Sequence, residues 1–206
     1  MTETVLWIFF IFTAVVLHEI AHGLMAYSLG DPTAKFAGRL SLNPLKHIDL
    51  FWTVILPVVL YLSTHGKLVF GMAKPVPVNF SRLRSPRRDT VLVALAGPAA
   101  NLAIAAFLSF IWVRLGSTFA LYGAYLNLGL GLFNLIPIPP LDGSRVAAVL
   151  MPERVSSAFL SIERWGFLMI IFLHMTGVLF KILVPMIDFF CNLLHIPSLN
   201  LETQGL

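Results

Sequence analysis

Residues 4–29, TVLWIFFIFTAVVLHEIAHGLMAYSL, form an apolar run that carries two histidines and a glutamate beyond its midpoint. As a helix this run is about 39 Å long, enough to cross the roughly 30 Å hydrocarbon core of a bilayer with tilt. Ionisable groups inside such a helix cost about 2.5–3.5 kcal/mol each on insertion scales, so they face a bundle interior and mark function. A membrane helix that keeps His18, Glu19 and His22 therefore needs neighbours that hold them.

The rest of the chain supplies apolar neighbours. Of its 206 residues 58% are hydrophobic and only 12% charged, with a mean hydropathy of +0.86, whereas a soluble domain carries about 25% charged residues. Residues 89–114 read as a span that the turn Gly116-Ser117-Thr118 joins to a returning helix, 119–135, so these two pack antiparallel. Residues 143–164 are more polar and amphipathic. Residues 165–190 are apolar helix again, where Lys181 and Pro185 leave open one span or a span plus an interfacial helix. Residues 33–42 read as an extended segment or short hairpin at the membrane surface, and 73–79 as a second extended, proline-rich stretch. Between them, 48–64 is apolar but short, contains Pro57, and has basic residues on both sides (Lys35, Arg39 and Lys46 before it, Lys67, Lys74, Arg82, Arg84, Arg87 and Arg88 after it). Positive loops favour the cytoplasm, so 48–64 is expected to be re-entrant or interfacial, a full span being the alternative.

The expected fold class is thus an all-α polytopic membrane protein, a transmembrane helix bundle with short extended surface segments. One domain, 1–206, is expected, with a core at 4–150, C-terminal helices at 152–195 and a polar tail at 197–206. The acidic start MTE lacks a basic n-region, so the first run reads as retained rather than cleaved. Cys191 is the one cysteine, which excludes an intramolecular disulfide and reads as a small buried hydrophobe. The net charge of +4 belongs to membrane topology; no basic, aromatic-interleaved soluble region is present to bind nucleic acid.

His18 and His22 are four apart and share a helix face, so they can hold one metal ion together. With Glu19 they spell His-Glu-x-x-His, in which two imidazoles bind zinc and the glutamate is a general base. Catalytic zinc takes three protein ligands, and Asp142 in PPLDG is the strongest candidate for the third. Pro137, Pro139 and Pro140 force the chain out of helix beside it, and irregular backbone at membrane depth is tolerated only where it is buried or lines a wet cavity. Ala94, Gly97, Asn101 and Ala105 lie along one helix face, and Gly123, Asn127, Gly131 and Asn134 along another. Small residues on such faces allow close helix approach.

HEIAH, AGPAAN and NLIPIPPLDG, in this order on membrane helices, resemble the site-2 protease family of intramembrane zinc metalloproteases, in its compact prokaryotic branch without PDZ or cystathionine-synthase-type (CBS) domains. The resemblance implies one Zn2+ per chain held by His18, His22 and Asp142, with Glu19 as catalytic base. Asn101 and Asn134 match positions linked to substrate handling, and either amide is a candidate hydrogen-bond donor to the oxyanion. It also implies a transmembrane protein substrate that unwinds before cleavage, for which 33–42 and 73–79 are candidate pairing edges. With the basic loops cytoplasmic, the site is expected within the cell membrane nearer that side. A divalent-metal transporter or a catalytically inactive adaptor are the competing classes. Against the first, a carrier gains nothing from a glutamate beside a ligand and no inverted repeat is visible. Against the second, all four key residues are present.

Overall fold

The computed structural model describes residues 2–65, 71 and 73–198, with residues 2–8 as backbone only. The expected polar tail from residue 199 onward, and Lys67 among the basic residues, lie outside the described residues. The elements are helices α1 (Thr2–Ser28), α2 (Thr33–Phe36), α3 (Leu56–Ser63), α4 (Pro86–Leu115), α5 (Thr118–Leu135), α6 (Asp142–Leu150), α7 (Glu153–Ser161), α8 (Gly166–Met175) and α9 (Val178–Leu193). Among the described residues there is no strand, as expected of an all-α membrane protein.

Among the described residues, three helical stretches are long and apolar enough to cross a membrane: Phe9–Ser28, Pro86–Leu115 and Glu153–Met175. The expected returning span is α5, whose 18 residues reach about 27 Å; Asn127 and Asn134 dilute its apolar character, and it is not among the three. The C-terminal half divides differently from the expectation. Pro152 at the N-cap of α7 separates it from α6, and Gly177, at φ 71°, separates α8 from α9. That left-handed conformation suits glycine and ends the helix. Pro185 lies inside α9 instead of breaking it.

The bundle is built on α1, α4 and α5. Bilayer lipid is as apolar as leucine, so helices associate through close packing and polar contacts rather than hydrophobic exclusion. The stripes do this. The buried face of α4 is Asp89, Val93, Ala94, Gly97, Pro98, Asn101, Ala105 and Ser109, and that of α5 runs from Ala120 through Gly123, Asn127 and Gly131. A Cβ at Gly123 would meet Phe10 Cε1 at 2.6 Å and Leu108 Cδ1 at 2.8 Å, so all three helices approach at that point. Residue pairings show α4 antiparallel to both neighbours: Asn101 meets Ala14 and Asn127, while Phe10 stacks on Phe119 at 4.5 Å. The far side of α5 packs on α9 through Leu128, Leu132, Ile187 and the buried thiol of Cys191.

Residues 33–42 differ from the extended reading. Asp31 accepts the Thr33 N–H at 3.0 Å and Pro32 precedes α2, so Thr33–Phe36 coils into one helical turn; an acid and a proline at a helix start favour that outcome. Residues 73–79 have no regular secondary structure. The apolar stretch Leu50–Ser63 is a π-helical turn, Leu50–Ile55, continued by α3. At about 21 Å it is shorter than the hydrocarbon core, and it exposes Leu50, Phe51, Val58, Val59 and Leu62. The N–H of Lys74 donates to His47 O at 2.9 Å, so the chain returns to the place it left.

Candidate metal centre

The apolar helix α1 carries His18 and His22 one turn apart on the face turned to α4 and α6, both buried. Asp142 begins α6, immediately after the segment Pro137-Ile138-Pro139-Pro140 has turned the chain back towards α1. As a first-turn acid it is also favoured by the helix dipole. The Nε2 atoms of His18 and His22 are 3.0 Å apart, and Asp142 Oδ2 lies 3.0 Å from the first and 3.2 Å from the second. Among the described residues this is the one cluster of three such side chains able to share an ion.

The remaining ring nitrogens decide what the cluster can hold. His22 Nδ1 donates to Val93 O at 2.6 Å. Pro98 has no N–H for Ala94 O, and Val93 O one residue earlier takes the imidazole N–H. His18 Nδ1 lies 2.5 Å from Asn101 Oδ1. The orientation of that amide follows from its other contacts: Asn101 Nδ2 donates to Ala14 O at 3.2 Å and to Asn127 Oδ1 at 2.9 Å, and Asn127 Nδ2 donates to Gly123 O. Backbone carbonyls at both ends of this chain of amides leave only an oxygen to face His18, so its Nδ1 carries the proton. Both Nε2 atoms then present lone pairs, and the third atom is a carboxylate oxygen. Three acceptors at 3.0–3.2 Å repel one another unless a cation sits among them. Donors around tetrahedral zinc with bonds of about 2.0 Å lie roughly 3.3 Å apart, so the set fits that ion.

Room for the cluster comes from Gly97, whose added Cβ would fall against His22 Nε2 and 2.6 Å from His18 Nε2. Sequence reading placed Gly97 on the small-residue face without linking it to the histidines. Glu19, half-buried on the next position of α1, accepts the Val76 N–H at 2.6 Å through Oε2. Val76 was not expected here; the signal was Pro75-Val76-Pro77, a sequence with one N–H donor. Of the two asparagines, the structure brings Asn101 to the histidine–aspartate cluster, fully buried and with both amide atoms engaged. Asn134 is half-buried and donates to Leu130 O of its own helix at 2.9 Å; its hydrogen bond does not involve the cluster. Pro75 and Pro77 have no N–H, and those of Lys74 and Val76 are taken by His47 O and Glu19. Residues 74–77 therefore have no free backbone donor for an incoming strand, and Lys74 O and Pro75 O already accept from Arg39.

The description "Peptidase family M50" matches residues 114–176, which contain Asp142. Over 187 residues the chain is 38% identical to "Putative zinc metalloprotease YwhC" of Bacillus subtilis, covering 84% of this chain and 81% of that protein. It is 27% identical over 205 residues to "Putative zinc metalloprotease Rip2" of Mycolicibacterium smegmatis, covering 93% of this chain and 75% of the relative. No solved structure matches the chain. A possible metal site of this kind between apolar membrane helices, and a relative of this identity over most of both lengths, lead to one conclusion: the chain belongs to peptidase family M50 and is a membrane zinc metalloprotease of the site-2 type.

Proposed function

We propose that His18, His22 and Asp142 hold one zinc ion and that Glu19 is the general base for hydrolysis of peptide bonds of transmembrane proteins within the bilayer. The observation that carries this reading is the mutual approach of three lone-pair atoms to 3.0–3.2 Å with both outward imidazole nitrogens already committed. Zinc bound by such a set lowers the pKa of a water towards about 7 and polarises a carbonyl. Glu19 follows the first ligand on the same helix; its carboxylate takes the water's proton and returns it to the departing amine. Asn101 orients His18 and fixes its tautomer, as partners of metal-bound histidines do. Asn134, beside the proline segment that delivers Asp142, is assigned to the unwound substrate backbone.

The chain acts as one protease domain whose core, 4–150, carries the site, in the cell membrane with several spans. Lys35, Arg39, Lys46, Lys74, Arg82, Arg84, Arg87 and Arg88 all lie between α1 and the first turn of α4. The positive-inside rule puts that end in the cytoplasm, with His18 about 15 Å along α1 from Ser28. Zinc content and cleavage of a panel of single-span transmembrane peptides test the reading. His22→Ala is expected to lose zinc, and Glu19→Gln to keep it without cleaving. Full zinc in the first variant, or wild-type cleavage by the second, refutes the assignment.

A further inference from the structure

Residues 73–79 lie along α1 as a strap, and each hydrogen bond that holds it falls at a defined place. Arg39, itself buried, donates through Nη2 to Lys74 O at 3.0 Å and Pro75 O at 3.3 Å. The N–H of Lys74 is on His47 O, that of Val76 on Glu19 Oε2 at 2.6 Å, and that of Asn79 on Asp31 Oδ2 at 2.6 Å. Asp31 folds back so that its N–H meets Ala26 O at 2.9 Å. The strap is thus held by two carboxylates, Glu19 on Val76 and Asp31 on Asn79, and has little freedom to slide. Between Lys74 and Val78, prolines at 75 and 77 leave the Val76 N–H as the one backbone donor. Val76 is also wedged by its side chain, since a Cβ at Gly23 would meet Val76 Cγ1 at 2.9 Å.

We propose that the Val76 N–H is a positioning group for Glu19: the strap pins Oε2 and so fixes the direction in which the other carboxylate oxygen meets the reacting water. The inference rests on Glu19 being the base. It makes the Pro75-Val76-Pro77 backbone a part of the catalytic geometry although none of its side chains takes part in the reaction. A misplacement near 1 Å at a reacting group can cost about 10²-fold in rate, so removal of this one donor is expected to act on kcat.

Val76→Pro deletes the N–H and keeps an extended backbone, because the residue before it is already a proline in an extended chain. A second form replaces the Val76 amide by an ester through the corresponding α-hydroxy acid; it retains the side chain and decides the question if Val76→Pro does not fold. The probe is the single-span transmembrane peptide that the wild type cleaves fastest, in detergent micelles, with Glu19→Gln in parallel. The expected result is zinc content equal to wild type, KM within about twofold, and kcat lowered at least tenfold in the donor-deleted protein. Wild-type or increased kcat, or a loss that tracks zinc content or KM, overturns the proposal. Cleavage by Glu19→Gln overturns the base assignment and this inference with it; an inactive Glu19→Gln beside a fully active donor-deleted protein overturns this inference alone.

Discussion

Gly97→Ala is the smallest change that sets packing against metal binding. On helix propensity alone alanine is favoured over glycine by about 1 kcal/mol inside α4. Against this, the new Cβ would stand 2.6 Å from His18 Nε2 and nearer still to His22 Nε2, where ordinary contact begins at 3.4 Å. The imidazoles must retreat by at least about 0.8 Å, several times the roughly 0.2 Å tolerance of a metal-ligand distance. Overpacking costs about 1–3 kcal/mol, so the two effects partly cancel for the fold and leave at most about 2 kcal/mol of destabilisation. They do not cancel for the ion. A change in the groups behind a metal ligand weakens affinity by about 10–100-fold, and a carbon placed against the ligating atoms themselves is expected to exceed that range. Chelator competition with zinc measured by mass spectrometry gives the affinity, and thermal unfolding in detergent gives the stability. The expected outcome is a Tm close to wild type for the zinc-free proteins and zinc affinity at least 100-fold weaker in the variant. Wild-type zinc affinity in folded Gly97→Ala would refute the argument that the two Nε2 atoms meet an ion against this glycine.

Asn101→Ala leaves the buried His18 Nδ1–H without its acceptor, and zinc affinity is expected to fall about 10–100-fold, measured by the same competition. Asn134→Ala is expected to keep zinc and Tm while lowering cleavage of a helical single-span peptide at least tenfold; lower stability with normal turnover would make it a packing residue. Burial pushes the Asp31 carboxyl up, but hydrogen bonds from Thr33 and Asn79 and the charge of Arg82 outweigh it and hold the group below the ordinary range. Its contribution to stability is therefore full above the unfolded value of about 4 and is lost as pH falls through the lower folded value; the wild-type Tm should drop below about pH 4 more steeply than that of Asp31→Asn. Ser63→Cys and Ser85→Cys, both at exposed positions, are expected to label from the same side of the membrane while buried Cys191 stays unreactive; labelling from opposite sides would make 48–64 a full span.

What could be read from the sequence was what local periodicity encodes. His18 and His22 share a face because four residues make about one helical turn, and Asp142 stood out because prolines and an acid rarely coincide at membrane depth. The small-residue stripes predicted close packing, and Gly123 and Gly97 sit at helix contacts. The partner of each polar group was not encoded locally. Asn101 is 83 residues from His18, and only the packed bundle turns its oxygen to the imidazole instead of to a substrate. The helical turn at Thr33–Phe36 was legible in Asp31-Pro32-Thr33 but was masked by the alternating residues that follow. The break at Gly177 instead of Pro185 reflects position: a left-handed glycine ends α8, while a proline in the next helix is accommodated there.

The hydrogen bond between His47 O and Lys74 N has a consequence for how this fold can vary. It ties residue 47 to residue 74, and between them Trp52 packs edge-on against Phe167 of α8 with ring centroids 5.8 Å apart, so the segment is anchored close to where it leaves and rejoins the enzyme. Each doubling in the length of such a loop costs only about 0.6 kcal/mol in closure entropy, and the hydrogen bond at its base separates that change from the strap that follows. Insertions, deletions or a different apolar hairpin in 48–73 should therefore be tolerated with the hydrolytic centre intact. The part of the protein that meets the lipid, and whatever the lipid brings, can diversify while the chemistry stays fixed.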